Sequence, residues 1–454
     1  MFLTHIDENG NDTPAILIEN STAANRAVNI PEFVNMNRDG IEHIDTPAVD
    51  LYKQIDIAAE LTQKGQYEAA TVQWKKAIAM EPDDPGAHYG LGQAMFITGK
   101  VDDGIAQYRE ALRLDPHSAE AHNGLGTALG QAGNANESIE QFHLALEDRP
   151  GYAEAHNNLG SALSAEHRLP EAEIEFKSAL EANPDFAEAH NNLGSVYAAE
   201  GKADEAVEEY RKAIAINPGH APAYNNLGLA LATKGDLDEA IAEFKKTIEL
   251  EPARAEAEYN LGHALMAKGS VDEAIPHFQK ALDLGPESAE FHTNLGIALA
   301  KRGQLGDAVP HFERALALSP DAVDARYYLG KALVMSGRGT EGLAYWKQAL
   351  RKDPDNLQVL NDFAWVLATS HDETLRNGNA ALPLAEHAVE LTSAREPAIL
   401  GTLAAVYAET GSFEKAIELE QRATKLAMQQ GNARLAQSLN ERLALFQNKT
   451  PIRQ

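Results

Sequence analysis

Apolar and small residues recur three and four positions apart along most of the chain, and glycine and proline punctuate the runs. Such spacing predicts one amphipathic helix after another. The punctuation is periodic. Proline stands at 82, 116, 150, 184, 218, 252, 286, 320 and 354, each 34 residues after the last. Leu-Gly pairs keep the same interval from Leu91-Gly92 to Leu329-Gly330, and so does a large ring, from Trp74 through Phe244 to Trp346. A fixed period of this length means that the building block is a short supersecondary unit repeated many times.

The unit from Ala221 to Arg254 illustrates how each block reads. Its first helix puts Tyr224, Leu227, Gly228 and Leu231 on one face, and Gly235 supplies the positive φ that ends it. The second helix gathers Ala240, Phe244, Thr247 and Ile248, and Pro252 lacks the N–H that a longer helix would need. Small residues let the two backbones approach while the ring fills the gap. One such hairpin cannot bury its apolar face alone, so neighbours must stack into a continuous, quasi-one-dimensional core.

Units begin at 51, 85, 119, 153, 187, 221, 255, 289, 323 and 357, and an eleventh begins at 397 after an insertion near 371–380, HDETLRNGNA. Residues 431–454 read as a cap helix, with Leu435, Leu439 and Leu443 on one stripe, and a tail. The turn glycine is replaced at His167, a residue type that tolerates the left-handed conformation better than most. Gly104 and Gly342 stand where other units have a small alanine such as Ala240.

The Leu-Gly pair, the turn glycine, the small residue, the ring and the closing proline together resemble the tetratricopeptide repeat family over residues 51–430. That resemblance implies an all-α fold, a right-handed superhelical α-solenoid of about eleven helical hairpins closed by a cap helix, that binds protein segments.

Residues 1–50 are different material, with nine acids, two bases and no helical period. Apolar segments at Phe2–Ile6 and Ala15–Ile18 flank Asn9-Gly10, a hairpin signal tempered by Pro14. A lone hairpin is marginal in water, so it must lean on the first helix or on a domain outside this sequence. The stretch FLTHIDENGNDTPAILIENSTAANRAVNIPEF resembles the tail of a bacterial Tol-type, WD-like β-propeller. On that resemblance the array would follow a propeller, as a fragment or a descendant that lost it.

Charge narrows the partners. Lys plus Arg number 39 against 68 for Asp plus Glu, a formal charge of −29, which repels nucleic acid and anionic membranes. The chain has no cysteine, so disulfides and thiolate chemistry are excluded. No apolar run approaches the roughly 18 residues of a membrane span. As given, the sequence implies a cytoplasmic protein; a fragment of an exported propeller-repeat protein would be periplasmic.

Counting each unit from one, position six lies about 200° around the first helix from the Gly of the seam at position eight. Position six is Asn158, Asn192, Asn226, Asn260 and Asn294 in five consecutive units, an amide ladder on the predicted inner wall. First helices about 10 Å apart and a peptide rising about 3.3 Å per residue would bring one amide to every third peptide group. A carboxamide both donates and accepts, so it can hold a strand whatever its sequence. The ladder resembles that in the repeat arm of O-GlcNAc transferases; the same amides could equally bond a neighbouring helix or water. Position two adds Glu120, Glu154, Glu188, Glu256 and Glu290, a carboxylate stripe that would favour a basic partner and that the helix dipole alone also explains. Lys331 is nearly alone among bases on this wall, which argues against the clamps by which some repeat domains hold a C-terminal carboxylate.

Other constellations dissolve on placement. His88, His122, His156, His190 and His292 share position four, a repeat apart, and read as seam residues rather than metal ligands. Gly124, Gly126 and Gly130 mimic a dinucleotide loop but lie inside a helix. Asp7, Asn9 and Asn11 lack the rest of a calcium loop. No nucleophile elbow or phosphate loop occurs, and the carboxylates sit on exposed faces. The expected protein is a non-catalytic scaffold without metal or cofactor, whose wall is open to an extended peptide, a basic one if the carboxylate stripe takes part. Two alternatives stand beside it: the recognition arm of a glycosyltransferase whose catalytic domain is on another chain, and a spacer for a propeller.

Overall fold

The computed structural model describes residues 2–6, 12–16 and 47–454. The stretch that carries most of the propeller resemblance, and the polar turn at Asp7, Asn9 and Asn11, lie outside the described residues. Strands β1 (Phe2–Ile6) and β2 (Asp12–Ile16) pair antiparallel, with Phe2 opposite Ile16 and Thr4 opposite Pro14. The second strand starts three residues before the apolar segment that predicts it. Proline is tolerated there because every strand of a two-stranded ribbon has a free edge.

Among the described residues, twenty-three helices follow, from α1 (Pro47–Gln63) to α23 (Ala433–Gln447). They form eleven hairpins and a final helix in a linear, solenoid-like stack, each helix packed on the next. Among the described residues no helix is long and apolar enough to cross a membrane.

The local reasons are visible in α11 (Ala221–Lys234) and α12 (Leu237–Leu250). Gly235 adopts φ 90° after α11, and the amide of Asp236 reaches back to Leu231 O at 2.9 Å, so the helix ends in a left-handed cap. Glu251, kept out of the helical region at φ −128° by the following Pro252, stops α12. Between the helices Phe244 is buried against Gly228, where a Cβ would come within 2.6 Å of the ring. Burying a ring of this size is worth about 1.5–3 kcal/mol, and the arrangement recurs from Gly92 with Tyr108 to Gly330 with Trp346. His167 takes the place of the turn glycine at φ 58°, as its residue type permits.

First helices of consecutive units touch along the array, whereas second helices nowhere approach each other to the same extent among the described residues. A stack whose alternate elements crowd on one side curves toward that side, so the first helices form the inner wall.

The repeat is interrupted between α19 (Leu357–Thr369) and α20 (Gly378–Leu391). Asn377 caps α20, accepting from the amide of Ala380 at 2.9 Å, so the insertion occupies residues 370–377. In α23 the buried residues are Ala436, Leu439 and Phe446, while Leu435 and Leu443 are only half-buried. The stripe therefore leans toward Phe446, which the leucine spacing alone does not indicate.

Candidate peptide-binding wall

The five ladder amides stand on α7 (Ala153–Ala165), α9 (Ala187–Ala199), α11, α13 (Ala255–Lys268) and α15 (Ala289–Lys301), all half-buried. Each donates backward by one unit. Asn158 Nδ2 reaches Asn123 Oδ1, Asn192 reaches Asn157, Asn226 reaches Asn191 and Asn260 reaches Asn225, every bond 3.0 Å long. Asn294 donates to the Tyr259 hydroxyl at 2.9 Å. The acceptors occupy position five; Asn157, Asn191 and Asn225 are buried. The ladder is thus a row of stitches between neighbouring first helices. A similar link recurs farther on with the roles exchanged, as Tyr327 Oη donates to Asp362 Oδ2 at 2.7 Å.

One N–H of each carboxamide is committed in this way. Asn192 Oδ1 also accepts from Asn191 Nδ2 at 3.2 Å, and Asn294 Nδ2 lies 3.1 Å from the Glu290 carbonyl. Upstream, position six is glycine, and at Gly124 a Cβ would meet the Tyr108 ring at 2.8 Å.

The carboxylate stripe is partly spoken for. Glu120 pairs with Arg149, whose guanidinium lies over the Tyr152 ring at 4.8 Å. Glu256 meets Arg254 at 3.2 Å, and Glu290 accepts from Tyr259 Oη at 2.7 Å. Glu154 and Glu188 are exposed in the first turns of α7 and α9, without an ion pair among the described residues. Aromatic groups flank the amides downstream, where Tyr259 stacks on Phe291 with centroids 4.5 Å apart.

The position-four histidines are structural bridges. His88 joins Gln107 Oε1 at 2.8 Å and the Pro82 carbonyl at 2.9 Å. His156 joins Glu175 at 2.7 Å and the Pro150 carbonyl at 3.0 Å. Both ring nitrogens of His156 face acceptors, and the Glu175 hydrogen bond raises its pKa. Elsewhere the bridge changes partners: Glu258, fully buried, meets His277 and Lys280 at 2.6 Å each, and His292 faces His311. Among the described residues no group of three or more His, Asp or Glu is placed to hold a metal ion.

Family profiles described as tetratricopeptide repeat match residues 123–180, 223–289 and 293–356, and another matches 185–251. A further profile, described as TPR repeat, matches 59–99 and 94–133. The chain is a tetratricopeptide-repeat protein. A solved structure of MamA is 34% identical, over 37% of this chain and 97% of its own, with a TM-score of 0.33. YrrB, described as a TPR protein with an unusual peptide-binding site, is 26% identical over 43% and 97%, with a TM-score of 0.35. Yeast Tom70 is 16% identical over 89% and 97%, at a TM-score of 0.41. No curated protein sequence matches.

At its C-terminal end this tetratricopeptide wall is not open. After α23 the chain reverses at Lys449, φ 55°, and residues 450–454 run back across α21 (Pro397–Glu409) to α19. The expectation of a wall free along its whole length is corrected there. Ile452 is buried with Ala404, Ala405, Ala408 and Phe446, and the Trp365 indole donates to Gln454 Oε1 at 3.2 Å. Sequence reasoning overlooked this contact, and with it the position-five acceptors, for which the Asn-Asn doublets at 157–158, 191–192 and 225–226 were the available signal.

Proposed function

We propose that this protein is a non-catalytic scaffold that holds extended protein segments along the amide-lined stretch of its inner wall. The observation that supports it is the stitched, half-buried row from Asn158 to Asn294. A carboxamide already fixed by one N–H to the preceding helix loses little rotamer freedom when its remaining polar atoms meet a peptide group, which lowers the entropic cost of binding. Recurrence once per repeat suits a backbone that is read without regard to sequence. The exposed Glu154 and Glu188 beside Asn158 and Asn192 favour segments carrying Lys or Arg, and the overall charge of −29 disfavours nucleic acid.

The test starts from peptides selected on the wild-type protein from a random display library. Changing Asn192, Asn226 and Asn260 to Ala is expected to weaken their binding at least about tenfold, or 1.4 kcal/mol. The control changes Asn157, Asn191 and Asn225 to Ser, which removes the stitches but keeps the wall amides. Equal losses in the two variants would assign the row to architecture alone.

A further inference from the structure

Two departures from the repeat meet in space. In an ordinary unit two or three residues join the helices, and the carbonyls at the end of the first helix are closed by the turn, as at Gly235. The insertion after α19 opens that turn. Ser370 leaves the helix with ψ 138°, an extended conformation, and exposes a short backbone edge. The tail occupies it: Gln454 N donates to Thr369 O at 2.7 Å, and His371 N donates to Gln454 O at 2.9 Å. Two main-chain bonds on either side of one residue are the pairing by which a strand is added to an edge.

Side chains complete the contact. Ile452, 5% exposed, sits on the alanine floor of α21. The Arg453 guanidinium lies 2.6 Å from Glu409 Oε2, on a carboxylate that is 15% exposed and also has Arg376 at 3.6 Å. Trp365, with Arg442 over its ring at 5.2 Å, closes the far side through Gln454. Backbone pairing, an apolar socket and a recessed acid form a receptor with a readable preference.

We infer that this edge is a second peptide site, specific for an extended aliphatic–Arg–carboxamide segment of a partner protein, and that residues 452–454 are its internal competitor. It lies on different units from the Asn ladder and uses different residues. A segment tethered by a few residues has an effective concentration of about millimolar. A partner segment therefore engages well only when the tail is displaced or the partner gains affinity from contacts elsewhere on the wall. The site is thus closed by default and opened by competition.

The experiment uses the 454-residue chain and a fluorescein-labelled peptide, Lys-Thr-Pro-Ile-Arg-Gln, read by polarisation. Wild-type protein should bind it weakly. The same chain carrying Ile452→Asp and Arg453→Glu, which unseats the tail and leaves the receptor intact, should bind it at least tenfold more tightly. Adding Glu409→Gln should reverse most of that gain, and a peptide with Asp for Ile should not bind. No gain in the double variant, with helicity and melting of the wild type, would overturn the inference. If that variant unfolds, Arg453→Gln alone decides: the peptide must bind it more tightly than wild type, or the inference fails. Concentration-dependent dimers that vanish in the double variant would put a second copy's tail in the site and overturn the assignment to a partner. Loss of binding on changing Asn192, Asn226 and Asn260 to Ala would do so too, because this site stands apart from the ladder.

Discussion

His292 and His311 face each other Nδ1 to Nδ1 at 3.0 Å, so one ring must carry the proton and the other must accept it. Both cannot be protonated there without two N–H groups colliding. Burial holds both rings below the ordinary histidine range; Glu287 and Arg314 act on His292, and Asp307 acts on His311. Since both folded values lie below the unfolded one, their stabilisation is complete above about pH 6.5 and is lost as the pH falls beneath it. His156 has the opposite sign. Its value is raised by Glu175, so its stabilisation is complete below about pH 6.5 and is lost as the pH rises through the raised value. Hydrogen-exchange protection compared at about pH 5.5 and about pH 7.5 should therefore loosen units 289–322 and tighten units 153–186 in acid. Parallel changes in the two regions would contradict the assignment.

Removing a stitch should destabilise its own neighbourhood. Asn226→Ala leaves the buried Asn191 Oδ1 without its donor, which costs about 1–3 kcal/mol. The sequence leaves open whether these amides bond a neighbouring helix or water, and the structure gives the helix. Urea denaturation with exchange mapping should locate the loss at the junction of units 187–220 and 221–254; an unchanged profile would show the bond to be dispensable.

A methyl group at the Gly228 seam should be costly. Gly228→Ala sets a Cβ within 2.6 Å of Phe244 Cε1, and overpacking of this kind costs about 1–3 kcal/mol. Phe244→Ala, which leaves a cavity, should cost about 3–5 kcal/mol. Combining the two should cost less than the sum, since the ring that the methyl group strikes is then gone. Additive losses in melting experiments would show that the two residues do not share one contact.

His167→Gly should stabilise the protein. The left-handed conformation costs a side-chain-bearing residue about 1–2 kcal/mol, partly offset by the greater freedom of glycine in the unfolded chain. A net gain of about 0.5 kcal/mol is expected at φ 58°, measured as a raised denaturation midpoint. A drop would mean that the His167 ring makes a stabilising contact of its own.

The hairpins were legible because everything that makes one lies within a single period. The Leu227 and Phe244 faces follow from helical spacing, and the ends at Gly235 and Pro252 follow from backbone chemistry. What escaped crosses the period. The Asn191 to Asn226 bond joins residues 35 apart and exists only because stacking brings position six of one helix against position five of the one before. The Trp365 to Gln454 contact spans 89 residues and depends on a reversal at Lys449 that no glycine announces. The wall's candidate residues could thus be named from the sequence, but not what already holds them.

The stitches also set how the molecule yields to force. Uncoiling the solenoid would lengthen the whole row of 3.0 Å amide links at once, whereas the ties between second helices on the outer rim, such as Arg109 to Glu137, are exposed ion pairs. A spring bound along its inner edge is stiff against being straightened, and a pull on any one unit is shared with the units stitched to it.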